Sequence, residues 1–214
     1  MNRNEKFVIT INRELGSGGR TVGRKLAEKL NVAFYDKALI NELKEKFHLD
    51  TEEIEKLKSG KSDWWREFIN SALYLGQGMN EMWYYNRMTG KEGFLVTSND
   101  MFKQDKEILT KVAEEDSCVI AGRSGFSVFA DHPNHLSILI QAPLEHRVQR
   151  IMSKQNLSRE EAETVIKKVD EMRENYVKKY TGTSRYDTRN YDLVINMEGK
   201  TEDDAVDLIL QYIG

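Results

Sequence analysis

Short apolar runs alternate along the chain with longer segments whose apolar residues recur every three or four positions. "FVITIN" (Phe7–Asn12) is a β-branched run with the length of a buried strand. After a glycine-rich turn, "TVGRKLAEKL" sets Val22, Leu26 and Leu30 near helical spacing, a helix with one apolar stripe. "VAFYD" (Val32–Asp36), "SCVIAG" (Ser117–Gly122), "HLSILIQA" (His135–Ala142) and "YDLVINM" (Tyr191–Met197) read as four further strands. Thr97–Asp116 reads as one amphipathic helix through Met101, Phe102, Ile108, Leu109 and Val112. "PLEHRVQRIM" opens on Pro143, a favoured first helical residue. Leu157–Lys179 reads as a long charged helix with a capping start at Ser158, Glu160 and Glu161, and Thr201–Ile213 as a closing amphipathic helix. Strands alternating with helices predict a parallel sheet covered on both faces, an α/β fold.

Two regions depart from this rhythm. Lys37–Gly60 is charged and helix-like, with a helix start at Thr51. Lys61–Gly93 gathers Trp64, Trp65 and Trp83 with Tyr74, Tyr84, Tyr85, Met79, Met82 and Met88. Such residues most commonly form a core, here that of an inserted helical subdomain. Their enrichment at interfaces adds the expectation of a homodimer contact through segment 64–88. "TGTSRYDTRN" (Thr181–Asn190) reads as a polar loop.

Composition narrows the class. A length of 214 residues suits one domain, and 39% hydrophobic with 31% charged residues suits a globular, cytoplasmic protein. A formal net charge of -3 argues against wrapping a nucleic-acid backbone. No apolar run approaches the ~20 residues of a membrane span, and the polar Met1–Lys6 does not read as a secretory leader. One cysteine, Cys118, excludes an internal disulfide, and with four scattered histidines it leaves zinc few ligands.

The chemistry gathers at "RELGSGGRT" (Arg13–Thr21). A glycine-rich turn between strand and helix can point successive backbone N–H groups at a phosphate, and the helix N-terminus adds partial positive charge. The general pattern is G-x-x-x-x-G-K-[ST]. With Gly18 as its second glycine, Arg13 replaces the first, Gly19 replaces the lysine and Arg20 the hydroxyl residue. With Gly19 as the second, Arg20 replaces the lysine, Thr21 falls into place to face a magnesium ion, and Glu14 replaces the first glycine. The alternative is a tight turn with no ligand. Three glycines beside two arginines favour phosphate.

Together with "CVIAGRSGFSVF", "HLSILIQAPLEHRVQRIM" and "KKVDEMRENYVKKYTGTSRYDTRNYDLVIN", this turn resembles the cytidylate kinase-like family, a divergent branch of the P-loop nucleoside monophosphate kinases. The segments occur in family order; Lys37–Glu115 matches loosely. The resemblance implies a three-layer P-loop fold with strand order 2-3-1-4-5. It implies a monophosphate-binding insertion at about 41–112 and a lid at about 152–190, within one domain spanning 1–214. It implies ATP and Mg2+, nucleotide substrates, and phosphoryl transfer to CMP or dCMP.

Site residues follow from the same resemblance. Gly16, Ser17, Gly18, Gly19, Arg20 and Thr21 would cradle the ATP phosphates, in the register that puts Gly19 at the lysine. Thr21 and Asp36 would face the metal; Asp36, Arg123, Asp170 and Arg173 would hold the acceptor. Asn41 and Ser124 depart from an arginine and an aspartate of the family pattern. Phosphoryl transfer needs positioning and charge neutralisation above all, and arginine grips two phosphate oxygens at once. Arg13, Arg20, Lys168 and Arg173 are therefore the candidate catalytic cations, with Arg123 and Lys167 nearby. Arg20 begins the helix and is expected to point outward, so it has the weaker geometry of the two turn arginines. Arg147 and Arg150 fit a nucleotide-facing or a solvated helix face equally well. Asp170 and Arg173 could form only a surface pair. Arg185 and Tyr186 read first as part of a plain polar loop.

Overall fold

A computed structural model of the protein describes residues 1–36, 39–40 and 99–214. The expected helices of Lys37–Gly60, the Trp64–Met88 cluster with its dimer contact, Asn41 and most of the insertion lie outside the described residues.

Five strands form one parallel sheet: β1 (Val8–Arg13), β2 (Ala33–Asp36), β3 (Cys118–Ala121), β4 (His135–Gln141) and β5 (Leu193–Asn196). Their order is β2-β3-β1-β4-β5, as the resemblance implies, so β1 sits at the centre between β3 and β4. The connecting helices are α1 (Gly19–Leu30), α2 (Asn99–Glu115), the single turn α3 (Gly125–Val128), α4 (Leu144–Gln155), α5 (Arg159–Thr181) and α6 (Glu202–Ile213).

Alternation along the strands divides the core. Ile9, Ile11, Phe34, Val119, Ile138 and Ile195 face α1 and α6, meeting Val22, Leu26, Val206 and Ile209. Val8, Tyr35, Cys118 and Ile120 face the other way, against Ile108, Leu109 and Val112 of α2. The result is three layers. Both faces are buried, which explains why the strands read as continuous apolar runs. Cys118 is a core residue, and burial pushes its thiol well above the ordinary range. A third cluster packs Leu15 of the glycine turn against Val148 and Ile151 of α4 and Ala162, Ile166 and Val169 of α5. It fastens the turn to the predicted lid.

Helix starts follow local chemistry. Ser158 caps α5 by accepting from Glu161 N, and Glu161 returns the bond to Ser158 N at 2.8 Å, a complete capping box. Thr201 and Asp204 do the same for α6. Pro143 takes the cap position of α4 rather than its first turn. Among the described residues, no helix is long and apolar enough to cross a membrane.

Candidate active site

The site lies where β1 and β3 end, the C-terminal edge at which open α/β sheets bind ligands. Helix α1 starts there on Gly18, in the left-handed region at φ 81, without a side-chain cap and without an acidic residue in its first turn. Gly19 N reaches Ser17 Oγ at 3.4 Å, and the Glu202 carboxylate, paired with Arg150, lies beside Gly18. Gly16 is also left-handed, at φ 83. Ser17 is fully buried, and its hydroxyl turns inward to donate to Glu14 O at 2.9 Å.

Gly19 begins the helix against the side chain of Arg13. A Cβ added at Gly19 would lie 2.6 Å from Arg13 Cβ and 3.2 Å from Arg13 Cγ. Arg13 is buried and carries its guanidinium to the end of β3, beside Gly122.

Arg20 does not point outward. Only 8% exposed, it turns its guanidinium toward the sheet, and its Nε donates to Asp36 Oδ2 at 2.6 Å over the Phe34 ring. Asp36 Oδ1 accepts from Leu39 N at 2.9 Å. The last residue of β2 is thus tied to the first turn of α1.

A magnesium ion held by the chain would require ligand oxygens at Thr21 and Asp36. Arg20 stands at the hydroxyl position and covers Asp36, and Thr21 Oγ1 lies 3.4 Å from Arg150 Nη2. Guanidinium charge therefore occupies the neighbourhood of both candidate ligands. Among the described residues, no group of three or more His, Cys, Asp or Glu could hold a metal. These residues do not fit a protein-held magnesium site.

Where α4, α5 and the segment after α5 meet the glycine turn, three arginines share one carboxylate. Asp170 Oδ1 accepts from Leu15 N at 3.0 Å, pinning the turn, and Oδ2 accepts from Arg147 Nη1 at 2.6 Å. Arg185 Nη1 is 3.5 Å and Arg173 Nη1 3.8 Å from Oδ1 of the same Asp170. Arg173 also donates to Arg13 O at 3.2 Å, and Arg185 donates to that same carbonyl. Glu14 lies 3.7 Å from Arg147 Nε, but its Oε2 already accepts from Ala142 N. Arg185 is fully buried, and its Nε has no hydrogen-bond acceptor among the described residues. Burial pushes this guanidinium below the ordinary arginine range. A buried charged donor left unsatisfied costs more than about 1–3 kcal/mol. Lys168 is exposed on α5. Its neighbour Lys167 lines, with Arg147, Asp170 and Tyr186, a cavity of about 680 Å³ between α4 and α5.

Arg123 occupies the opposite side. Gly122, Arg123 and Ser124 all have positive φ, at 84°, 58° and 54°. For the two non-glycine residues this costs about 1–2 kcal/mol each, and such strain gathers at functional sites. Arg123 pairs with Asp105 of α2 and lies over the Tyr176 ring of α5, 5.7 Å from its centroid. Phe102 of α2 stacks on Tyr180 of α5 at 4.2 Å. Burial pushes the Arg123 guanidinium down as well.

The structure thus gathers Arg13, Gly16–Thr21, Asp36 and Arg123 at one strand edge, with Asp170 and Arg173 beside them. Arg147, read as equally consistent with a nucleotide-facing or a solvated helix face, Arg185, read first as part of a polar loop, and Asp105, which carried no earlier reading, join them. Arg185 sits in a segment whose polarity predicts exposure, and nothing local marks it as buried.

Residues 8–199 match the family described as "Cytidylate kinase-like family". A cytidylate kinase of Sulfolobus acidocaldarius is 26% identical over 207 residues, covering 96% of this chain and 93% of that protein. A 118-residue stretch is 33% identical to part of a uronate isomerase of Corynebacterium glutamicum, 55% of this chain but 22% of that enzyme. Among solved structures, an uncharacterized protein from Eubacterium ventriosum superposes with a TM-score of 0.67 at 26% identity, over 98% of both chains.

Proposed function

The chain belongs to the cytidylate kinase-like family and is a nucleoside monophosphate kinase-like phosphotransferase; we propose that it moves the γ-phosphoryl group of ATP to CMP or dCMP. The observation that carries this reading is the gathering of arginines beside the start of α1, with the single carboxylate of Asp170 shared among the half-buried Arg147 and Arg173 and the buried Arg185.

ATP and a monophosphate repel each other, and transfer requires them in line. In this reading the amides at the start of α1 and the Arg13 guanidinium receive the ATP phosphates. Arg173 and Arg185, anchored on Arg13 O, supply donors from the lid side as charge moves from the leaving oxygen to the acceptor. Arg123 receives the acceptor phosphate from the β3 side. Arg20 acts through Asp36, holding the end of β2 against α1. Asp170 orients Arg147 and the turn; contact with the acceptor nucleoside would require it to exchange one of those bonds. No step is assigned to a protein-held metal.

The test is ADP release from ATP across a panel of nucleoside monophosphates, with calorimetric binding of ATP and CMP alongside. Turnover highest with CMP or dCMP is expected. A different preferred acceptor keeps the phosphotransferase and changes its substrate. Binding without turnover makes the protein a nucleotide-dependent regulator, and absence of binding removes the reading.

A further inference from the structure

We infer that Arg13 and Gly19 are an exchanged pair, in which the cation of the phosphate loop has moved from the helix start to the end of β1 and the glycine has moved the other way. The inference rests on the phosphate-binding role of the turn. In the general pattern the first position is glycine and the seventh is lysine. Counting from Arg13 through Gly18, this chain has arginine first and glycine seventh.

The structure supplies the reason that the two changes belong together. Arg13 is the last residue of β1 and Gly19 the first of α1, and they touch across the turn. Arg13 Cβ and Cγ fill the volume in which a side chain at position 19 would begin, at 2.6 and 3.2 Å from its Cβ. Cβ is the root of a side chain and cannot swing aside, so no residue larger than glycine fits at 19 while any Cβ is present at 13. The remaining neighbour, Ile140 Cβ, lies at 3.2 Å, a contact that gives by a few tenths of an ångström. Position 13 therefore decides what position 19 can be.

The relocated side chain still delivers its charge to the ligand edge. It passes beneath Gly19 and ends beside Gly122, where a Cβ would lie 3.3 Å from Arg13 Cζ and would collide with Nη1. That end of β3 leads into the strained Arg123–Ser124 turn. Arginine suits the longer route, because its planar fork can hold two phosphate oxygens where an ammonium offers one point charge.

The full chain is prepared as wild type, Arg13→Gly, Gly19→Lys, Gly19→Ala, Arg13→Gly/Gly19→Ala and Arg13→Gly/Gly19→Lys. ATP affinity is measured by calorimetric titration and stability by melting temperature. Glycine is needed at 13 because alanine keeps the obstructing Cβ. Arg13→Gly is expected to lose at least roughly tenfold in ATP affinity, and Arg13→Gly/Gly19→Lys to return within about fivefold of wild type. Gly19→Ala should lower the melting temperature by about 4 °C or more in wild type, and by about 1 °C or less when added to Arg13→Gly. Three results overturn the exchange: unchanged ATP affinity in Arg13→Gly, equal melting losses for Gly19→Ala in both backgrounds, or a double variant no tighter than Arg13→Gly. An Arg13→Gly chain that does not fold overturns it too, by making Arg13 a structural residue. Wild type failing to bind ATP removes the kinase reading itself.

Discussion

The two ends of the sheet handle polar groups in opposite ways. At the N-terminal end they are matched locally. Asn134 donates to Asn2 O at 2.7 Å and to Lys6 O at 3.0 Å, and accepts from Asn2 N at 2.9 Å. Phe7 N finds Ser117 Oγ at 3.2 Å, and Thr10 meets His135 at 2.7 Å. At the C-terminal end, guanidiniums crowd around few carboxylates, one turn holds three successive positive φ angles, and α1 begins without a side-chain cap. Matched groups hold the strands together at the first end; at the second, backbone strain and gathered arginines mark the edge where the proposed function puts the phosphates.

The largest effect that can sharpen this contrast is Arg20→Ala. It leaves Asp36, whose side chain is fully buried, without its cation, and is expected to cost about 3–5 kcal/mol in urea unfolding. Turnover should fall at least roughly tenfold through loss of positioning. Arg20→Ala/Asp36→Asn should regain much of the stability; an additive loss would show that the two do not act as a pair.

Gly18→Asp places a carboxylate at the open helix start, and aspartate is among the residues that visit the left-handed region. ATP affinity is expected to drop roughly a hundredfold, about 3 kcal/mol, with the fold retained by circular dichroism. Unchanged affinity would break the comparison, because the α1 start would not be an anion site.

His135 tests the other end. Burial pushes its imidazole down from 6.5 to about 4, so the folded protein holds it neutral. Below pH 6.5 the unfolded chain takes up a proton that the folded chain refuses until about pH 4. The stability contribution is therefore complete above 6.5 and is lost as pH falls toward 4, by roughly 3 kcal/mol in total. Urea midpoints measured across that range should show the slope in wild type and lose it in His135→Gln.

The smallest effect is Asn134→Ala, expected to cost about 1–2 kcal/mol of stability and to leave ATP affinity within twofold of wild type. A loss of binding as large as that of Gly18→Asp would show that the two ends are coupled.

Much of the fold was legible because it depends on near neighbours. The Ser158 capping box joins residues three positions apart and operates as its spacing predicts; the Thr201 box has the same local reach. The five apolar runs became the five strands, shortened by one or two residues at most ends. The glycine turn was visible as a turn. Its wiring was not. Arg20, expected to face solvent, instead crosses to Asp36, sixteen positions away. Arg185, in a segment read as a plain polar loop, is fully buried and reaches a carbonyl 172 positions earlier. Asp170 and Arg173, which fit a surface pair, stand at 3.8 Å while Asp170 serves Leu15 and Arg147.

The sequence by itself therefore determined which segments become the five strands and the longer described helices, to within a few residues at their ends, and that a glycine turn with displaced cations joins β1 to α1. Periodicity, propensity and capping act over a few residues, and the chain order carries them in full. Only the tertiary structure decided which carboxylate each arginine meets and which side chain fills the space above Gly19. An arginine side chain reaches far from its own backbone, and its partner is whatever the packing of distant strands and helices brings within range. The missing lysine of the turn was legible in the order of residues; the reason that nothing can be put back in its place is the Cβ of Arg13.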